Sequence, residues 1–337
     1  MSSAALIYAT KFMVKVREED LDRTTASMEN SVLPALGGAG FAEAFIVARK
    51  RRMERLDREK AEESLSDLSR RMVEVSQVRD PDLAGDLNSL QYGLVHGVHS
   101  SAHGMIHHHK KNKRPEAYEL LRRRMYGEEN LERVAGVQLD CYAFHSSDAS
   151  LGADGMDITG TKTNLPFALR TLEKELEGLL FLEPKAIKYT VFQKPVFGGS
   201  RYALQTFVSV PTGKRGPDPR GAKARIRSMI EDLTERFGPG GVLALKSLAE
   251  GVSKGSRWTP KGTGQHRGDD AGLDSERESQ AIKGYPDTYE LVTLWQSEDE
   301  RDAAKAWLEE VMPDVAGDVE AGYGGFASSP GELALHS

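Results

Sequence analysis

Apolar and polar positions alternate over "ALIYATKFMVKV" (5–16), a strand pattern rich in aromatic and β-branched residues. "EEDLDRTTASMENSVLPAL" (18–36) follows with acids in its first turn and predicts a helix, broken near Pro34 and ended by "GGAG". "FAEAFIVAR" (41–49) returns to strand, so the first fifty residues predict a split β-α-β unit of the ferredoxin kind. From Arg49 to about Arg133 the period becomes helical. "KRRMERLDREKAEESLSDLSRRMVEVSQ" is a charged helix, "RDPDLAGD" a turn, and 87–110 a second helix. "RPEAYELLRRRMYG" is a third, with Pro115 near its first turn and Gly127 at its end.

Alternation resumes in "VAGVQLDCYAFHSS" (134–147), then gives way to a turn-rich loop, "DASLGADGMDITGTKTNLP". "FALRTLEKELEGLLFL" predicts a helix, and "AIKYTVFQKPVFGGSRYALQTFVSV" a hairpin with "GG" at its tip. "RGAKARIRSMIEDLTERFG" is helical, 251–286 a long polar loop, and "TYELVTLWQ" a late strand. "SEDERDAAKAWLEEVM" is a helix opened by a Ser cap, and "GYGGFASSPGELALHS" reads as a flexible tail. No repeat shows at solenoid periods. The predicted class is α+β: a ferredoxin/RRM-like, mainly antiparallel sheet with a large helical insertion. Residues 1–48 and 134–296 would form the core and 49–133 the insertion. Residues 251–286 would be a flexible loop, and 297–337 a C-terminal helix and tail.

Composition changes this picture little. No apolar run approaches the roughly 20 residues of a membrane helix. The first twenty residues lack a basic n-region, and a single cysteine, Cys141, excludes an internal disulfide, so a cytoplasmic protein is expected. Charge changes it more. The net charge is −6, yet 48–60, 110–124 and 213–227 are strongly basic while 297–320 is strongly acidic. Such segregation suits one nucleic-acid-facing surface, head-to-tail self-association, or merely solvated helix faces.

Six of the nine histidines lie in "HGVHSSAHGMIHHHKKNKR" (96–114). On a helix His96, His99, His103 and His107 fall within about 80° of one another. Imidazoles at i and i+4 can share a divalent metal, with Asp140, Cys141, His145 or Asp148 as candidate third ligands. No HExxH or paired CxxC accompanies them. The same stretch could face phosphates or titrate as a His cluster, or be an ordinary polar face. In "GVSKGSRWTPKGTGQHRG", Lys254, Arg257, Trp258, Lys261, His266 and Arg267 sit among glycines, a composition suited to gripping a single strand. His145, Ser146, Asp148, Asp154 and Asp157 cluster in sequence without a GxSxG elbow or EF-hand spacing.

The order "FGGSRYALQTFVSV", "RGAKARIRSMIEDL", "GVSKGSRWTPKG", "DTYELVTLW" resembles the RNA-binding backbone subunits of class 1 CRISPR interference complexes over 185–296. That resemblance implies an RRM-like palm coating single-stranded guide RNA, with other copies of the chain and further subunits as partners. The residues expected on RNA are Arg49, Lys50, Arg51, Arg52, Lys110, Lys111, Lys113, Arg114, Arg122, Arg123 and Arg124, with Lys254, Arg257, Trp258, Lys261 and Arg267. The rival expectations are a metal- or haem-dependent enzyme using the His96–His107 row, and a self-assembling shell protein.

Overall fold

Side chains leave strand β1 (Tyr8–Arg17) in two directions, and both sets are buried. Phe12, Val14 and Val16 pack outward against helices, whereas Ala9 and Met13 join a second, separate core. A strand buried on both faces needs cover on each side, and the topology supplies it. The computed structural model describes residues 8–38, 40–41, 43–76, 81–96, 108–145, 168–195, 199–210, 219–247, 287–316 and 325–336.

Eight strands close into a barrel in the order β1-β3-β2-β8-β5-β7-β6-β4. They are β1, β2 (Glu43–Leu56), β3 (Leu131–His145), β4 (Leu180–Gln193), β5 (Tyr202–Val210), β6 (Gly241–Ser247), β7 (Asp287–Trp295) and β8 (Gly325–His336). The registered pairs are antiparallel. On the outside, α1 (Leu21–Ser27), a π-helical turn (Met28–Val32), α2 (Leu33–Gly38) and a helix over 168–175 cover the first four strands. Two longer helices, Pro219–Phe237 and Glu298–Ala316, cover the last four. Ser297 caps the latter helix, with its Oγ accepting from the Glu300 amide.

Each half of the barrel repeats one plan. The strand order β4-β1-β3-β2 recurs as β8-β5-β7-β6. "YATKFMVKV" in β1 and "YALQTFVSV" in β5 open the two halves. Tyr8 pairs with His145 as Tyr202 pairs with Trp295, so Lys11 matches Gln205 and Asp140 matches Glu290. The halves meet at the β2–β8 and β4–β6 seams. At the first seam a side chain on Gly331 would stand 2.8 Å from Val47 Cγ1 and 2.9 Å from the Ala48 carbonyl, so glycine permits the close approach.

Met53–Val134 form a second unit with its own core. Within it α3 (Arg58–Ser76), α4 (Pro81–His96) and α5 (Pro115–Met125) pack Ala61, Leu65, Leu87, Leu90 and Leu121 together.

Three expectations are corrected. The sheet is not a single open ferredoxin/RRM-like sheet, because a second set of four strands pairs with both of its edges. β4 and β5 are not a hairpin: β4 pairs with β1 and β6, and β5 with β7 and β8. Residues 325–336 are strand rather than tail, despite their Gly, Ser and Pro content, because β2 and β5 both pair with them.

Candidate functional site

The inner face of the barrel carries charge. Alternation turns Ala9, Lys11 and Met13 of β1 inward, with Asp140, Tyr142 and Phe144 of β3 and Glu290, Val292 and Leu294 of β7. Phe45, Phe144, Ala203 and Leu294 contribute the apolar part of this interior. Below them, Lys11, Arg49, Gln138, Asp140, Tyr142, Gln205 and Glu290 are all buried.

These side chains form one hydrogen-bonded network. Lys11 Nζ donates to both Glu290 oxygens at 3.0 Å. Tyr142 Oη donates to Glu290 Oε1 at 2.5 Å. Gln205 Nε2 donates to Tyr142 Oη and, at 2.8 Å, to Asp140 Oδ2. Arg49 Nη2 donates to the same Oδ2 at 2.9 Å, and Gln138 Nε2 to Oδ1 at 2.7 Å. Arg51 Nη1 extends the chain to Gln138 Oε1 at 2.6 Å. Because Gln205 donates to the phenol oxygen, the single phenol hydrogen is left for Glu290.

The network crosses between the halves in matched positions. Lys11 of the first half serves Glu290 of the second, and Gln205 of the second serves Asp140 of the first. The Lys11 ammonium also lies 4.5 Å from the Phe207 ring centre and 5.9 Å from those of Tyr142 and Tyr189.

Charge states follow from surroundings. Burial opposes ionisation of Asp140, but the Arg49 and Lys11 charges and the Gln138 and Gln205 donors outweigh it and hold the carboxyl below its ordinary range. Burial pushes the Tyr142 phenol well above its usual value, and the Glu290 and Asp140 charges add to this, so it remains a proton donor. Cys141 faces the outer core, where burial and Asp140 push its thiol up to about 12, leaving it no nucleophile. His145 is also buried, with Tyr8 stacked at 5.8 Å and Phe41 edge-on at 5.4 Å. Burial and the Lys188 charge lower it to about 4.

Several of the residues expected on RNA pair with carboxylates. Arg49 points into the barrel at Asp140, and Arg51 reaches Gln138. Lys50 pairs with Glu18 at 2.9 Å. In the helical unit Lys110, Lys113 and Arg114 surround the buried carboxylate of Asp86. Arg122 and Arg123 pair with Glu119, and Arg124 with Glu129. Lys111 sits 4.9 Å from the Tyr118 ring centre, and Arg52 is exposed on β2. Lys254, Arg257, Trp258, Lys261, His266 and Arg267 lie outside the described residues, as do His99, His103, His107, Ser146, Asp148, Asp154 and Asp157. His96 ends α4, 4.2 Å from the Tyr92 ring, and lines a cleft of about 310 Å³ with Glu62, Ser66, Asn88, Gln91 and Val95. Among the described residues no group of His, Cys, Asp and Glu is arranged to hold a metal ion.

No family model matches the sequence, and no curated protein matches it. Solved structures do match at low similarity. A protein assigned as a monooxygenase from Fusobacterium nucleatum subsp. nucleatum is 7% identical, over 99% of this chain and 94% of that one, with a TM-score of 0.40. One from Lactobacillus acidophilus is 6% identical over 98% and 96%, at 0.38. An anthrone oxidase-like protein is 10% identical over 99% and 93%, at 0.41. Similarity this slight leaves the chemistry of this chain to its own residues.

The guide-RNA reading is nonetheless overturned. The closed sheet has one face inside the barrel and the other under helices, so no open palm presents itself to bases. Of the histidine row only His96 lies among the described residues.

Proposed function

We propose that this chain is an enzyme that moves a proton on a small carbonyl compound within the barrel. One observation carries the reading. Two donors, Lys11 and Tyr142, converge on a single buried carboxylate, Glu290, at 3.0 and 2.5 Å. An eight-stranded barrel fills its interior adequately with aliphatic side chains. Buried ion pairs contribute less stability than well-packed apolar residues of similar size, so an interior built of Lys, Arg, Asp and Glu points to chemistry.

The chemistry follows from the donor set. A substrate carbonyl oxygen accepts from Lys11 and Tyr142, which turns both donors away from Glu290. With both donors engaged by the substrate, the Glu290 oxygens are left open to accept a proton. Glu290 takes a proton from the carbon beside the carbonyl. The C–H electron pair becomes the C=C bond, and the carbonyl oxygen carries the negative charge, held by Lys11 and Tyr142. Asp140 is pinned by Arg49, Gln138 and Gln205 and stays ionised, setting the field without exchanging protons.

Deuterium incorporation tests this directly. In D₂O, wild-type protein is expected to accelerate exchange beside the carbonyl of small ketones or 1,3-diketones, followed by proton NMR. Glu290→Gln and Tyr142→Phe are each expected to slow it by about 10²–10⁴-fold. Exchange at the buffer rate for every compound, or exchange untouched in Glu290→Gln, contradicts the reading.

A further inference from the structure

Gln205 does more than its position requires. In the first half the matched residue, Lys11, is a donor only, and a donor suffices to hold a carboxylate across the barrel. Gln205 supplies the matching donor to Asp140 through Nε2. Its other amide corner, Oε1, is a buried acceptor with no hydrogen-bond partner among the described residues. The amide cannot be turned over to relieve this, because Oε1 would then face the Asp140 carboxylate. A buried carbonyl without a donor costs about 1–3 kcal/mol, and such atoms call for an explanation.

We infer that Gln205 Oε1 receives a hydroxyl of the substrate, and that the substrate class is a carbonyl compound bearing a hydroxyl on the adjacent carbon. The inference rests on the proton-transfer reading and adds to it. The two corners of one amide are bonded to the same carbon, and Nε2 already touches Tyr142 Oη. A group bound at Oε1 therefore lies beside the point where Tyr142 meets the carbonyl oxygen. A hydroxyl on the carbon next to the carbonyl spans that interval. Sites built to accept a substrate hydroxyl discriminate strongly against analogues lacking it, because the buried acceptor is then left without a partner.

The test compares hydroxyacetone with methoxyacetone, which keeps the ketone and removes the donor. Exchange of each is divided by its own rate in buffer, in wild type, Gln205→Lys and Gln205→Met. Gln205→Lys keeps a donor for Asp140, as Lys11 does for Glu290, and removes the acceptor. The expected wild-type ratio favours hydroxyacetone by tenfold or more and falls to near one in both variants. A purely structural Gln205 lowers both rates together and leaves the ratio unchanged; that result, or a wild-type ratio near one, overturns the inference while the base survives. Should a variant fail to fold by circular dichroism, the wild-type ratio still decides. If wild type exchanges neither probe, the proton-transfer reading has failed, and saturation-transfer NMR then decides. Binding of hydroxyacetone alone, lost in Gln205→Lys, upholds the subsite, and no binding overturns it. A crystal structure showing only a water on Oε1 at saturating hydroxyacetone overturns it too.

Discussion

Lys11 sits in "YATKFMVK" with apolar residues on both sides, and Glu290 in "TYELVTLW" likewise. Alternation alone makes such residues the wet face of a half-buried strand. Both are fully buried. The clue lay in the neighbours, since Phe12, Val14 and Val16 on one face and Ala9 and Met13 on the other leave no wet face in β1. Asp140 drew attention as a metal ligand through its nearness to Cys141 and His145, but adjacent strand residues point to opposite faces, and only Asp140 turns inward. His145 gives a prediction at this scale. Its folded value of about 4 lies below the ordinary 6.5, so the fold favours the neutral ring. That contribution is complete above pH 6.5 and is lost as pH falls from 6.5 toward 4, amounting to about 3 kcal/mol at most. Melting temperature measured from pH 7 to pH 4 should fall less steeply in His145→Phe than in wild type. Parallel slopes would show that the ring does not couple folding to protons here.

At the scale of elements, periodicity places many of the strands and helices because that signal is local, but it reads 49–56, the end of β2, as helix and 325–336 as tail. Pairing is not local. "YALQTFVSV" in β5 and "GFASSPGELALH" in β8 are hydrogen-bonded neighbours, yet nothing within either segment names the other. The hairpin expectation failed for this reason: proximity in sequence stood in for a register that the barrel sets elsewhere. The two-fold plan did leave a trace, the repeated "YA…V.V" of β1 and β5, too short and too distant for a search at solenoid periods. Closure depends on the β2–β8 seam. Gly331→Val places atoms where Val47 and the Ala48 carbonyl already stand, so stability to urea should drop by about 1–3 kcal/mol with the slope unchanged. An unshifted midpoint would show that the seam yields freely.

The whole molecule joins two four-strand halves into one barrel, and its cross-bracing links tie each half to the other's carboxylate. The basic segments that suggested a phosphate-facing groove are divided between the barrel and the helical unit, and most of them answer carboxylates of their own. Charge counted along a sequence cannot distinguish a free cation from one already paired. The ionised interior separates chemistry from stability. Lys11→Met and Glu290→Leu each leave a buried charge alone and should cost about 3–5 kcal/mol, whereas the pair replaced together should cost only the about 1–3 kcal/mol of the Tyr142 hydroxyl losing its acceptor. The decisive measurement is therefore the urea stability and the deuterium-exchange rate of the double variant, taken side by side. A double variant no less stable than either single one that no longer exchanges is the predicted result; one less stable than both singles that exchanges at the wild-type rate contradicts it.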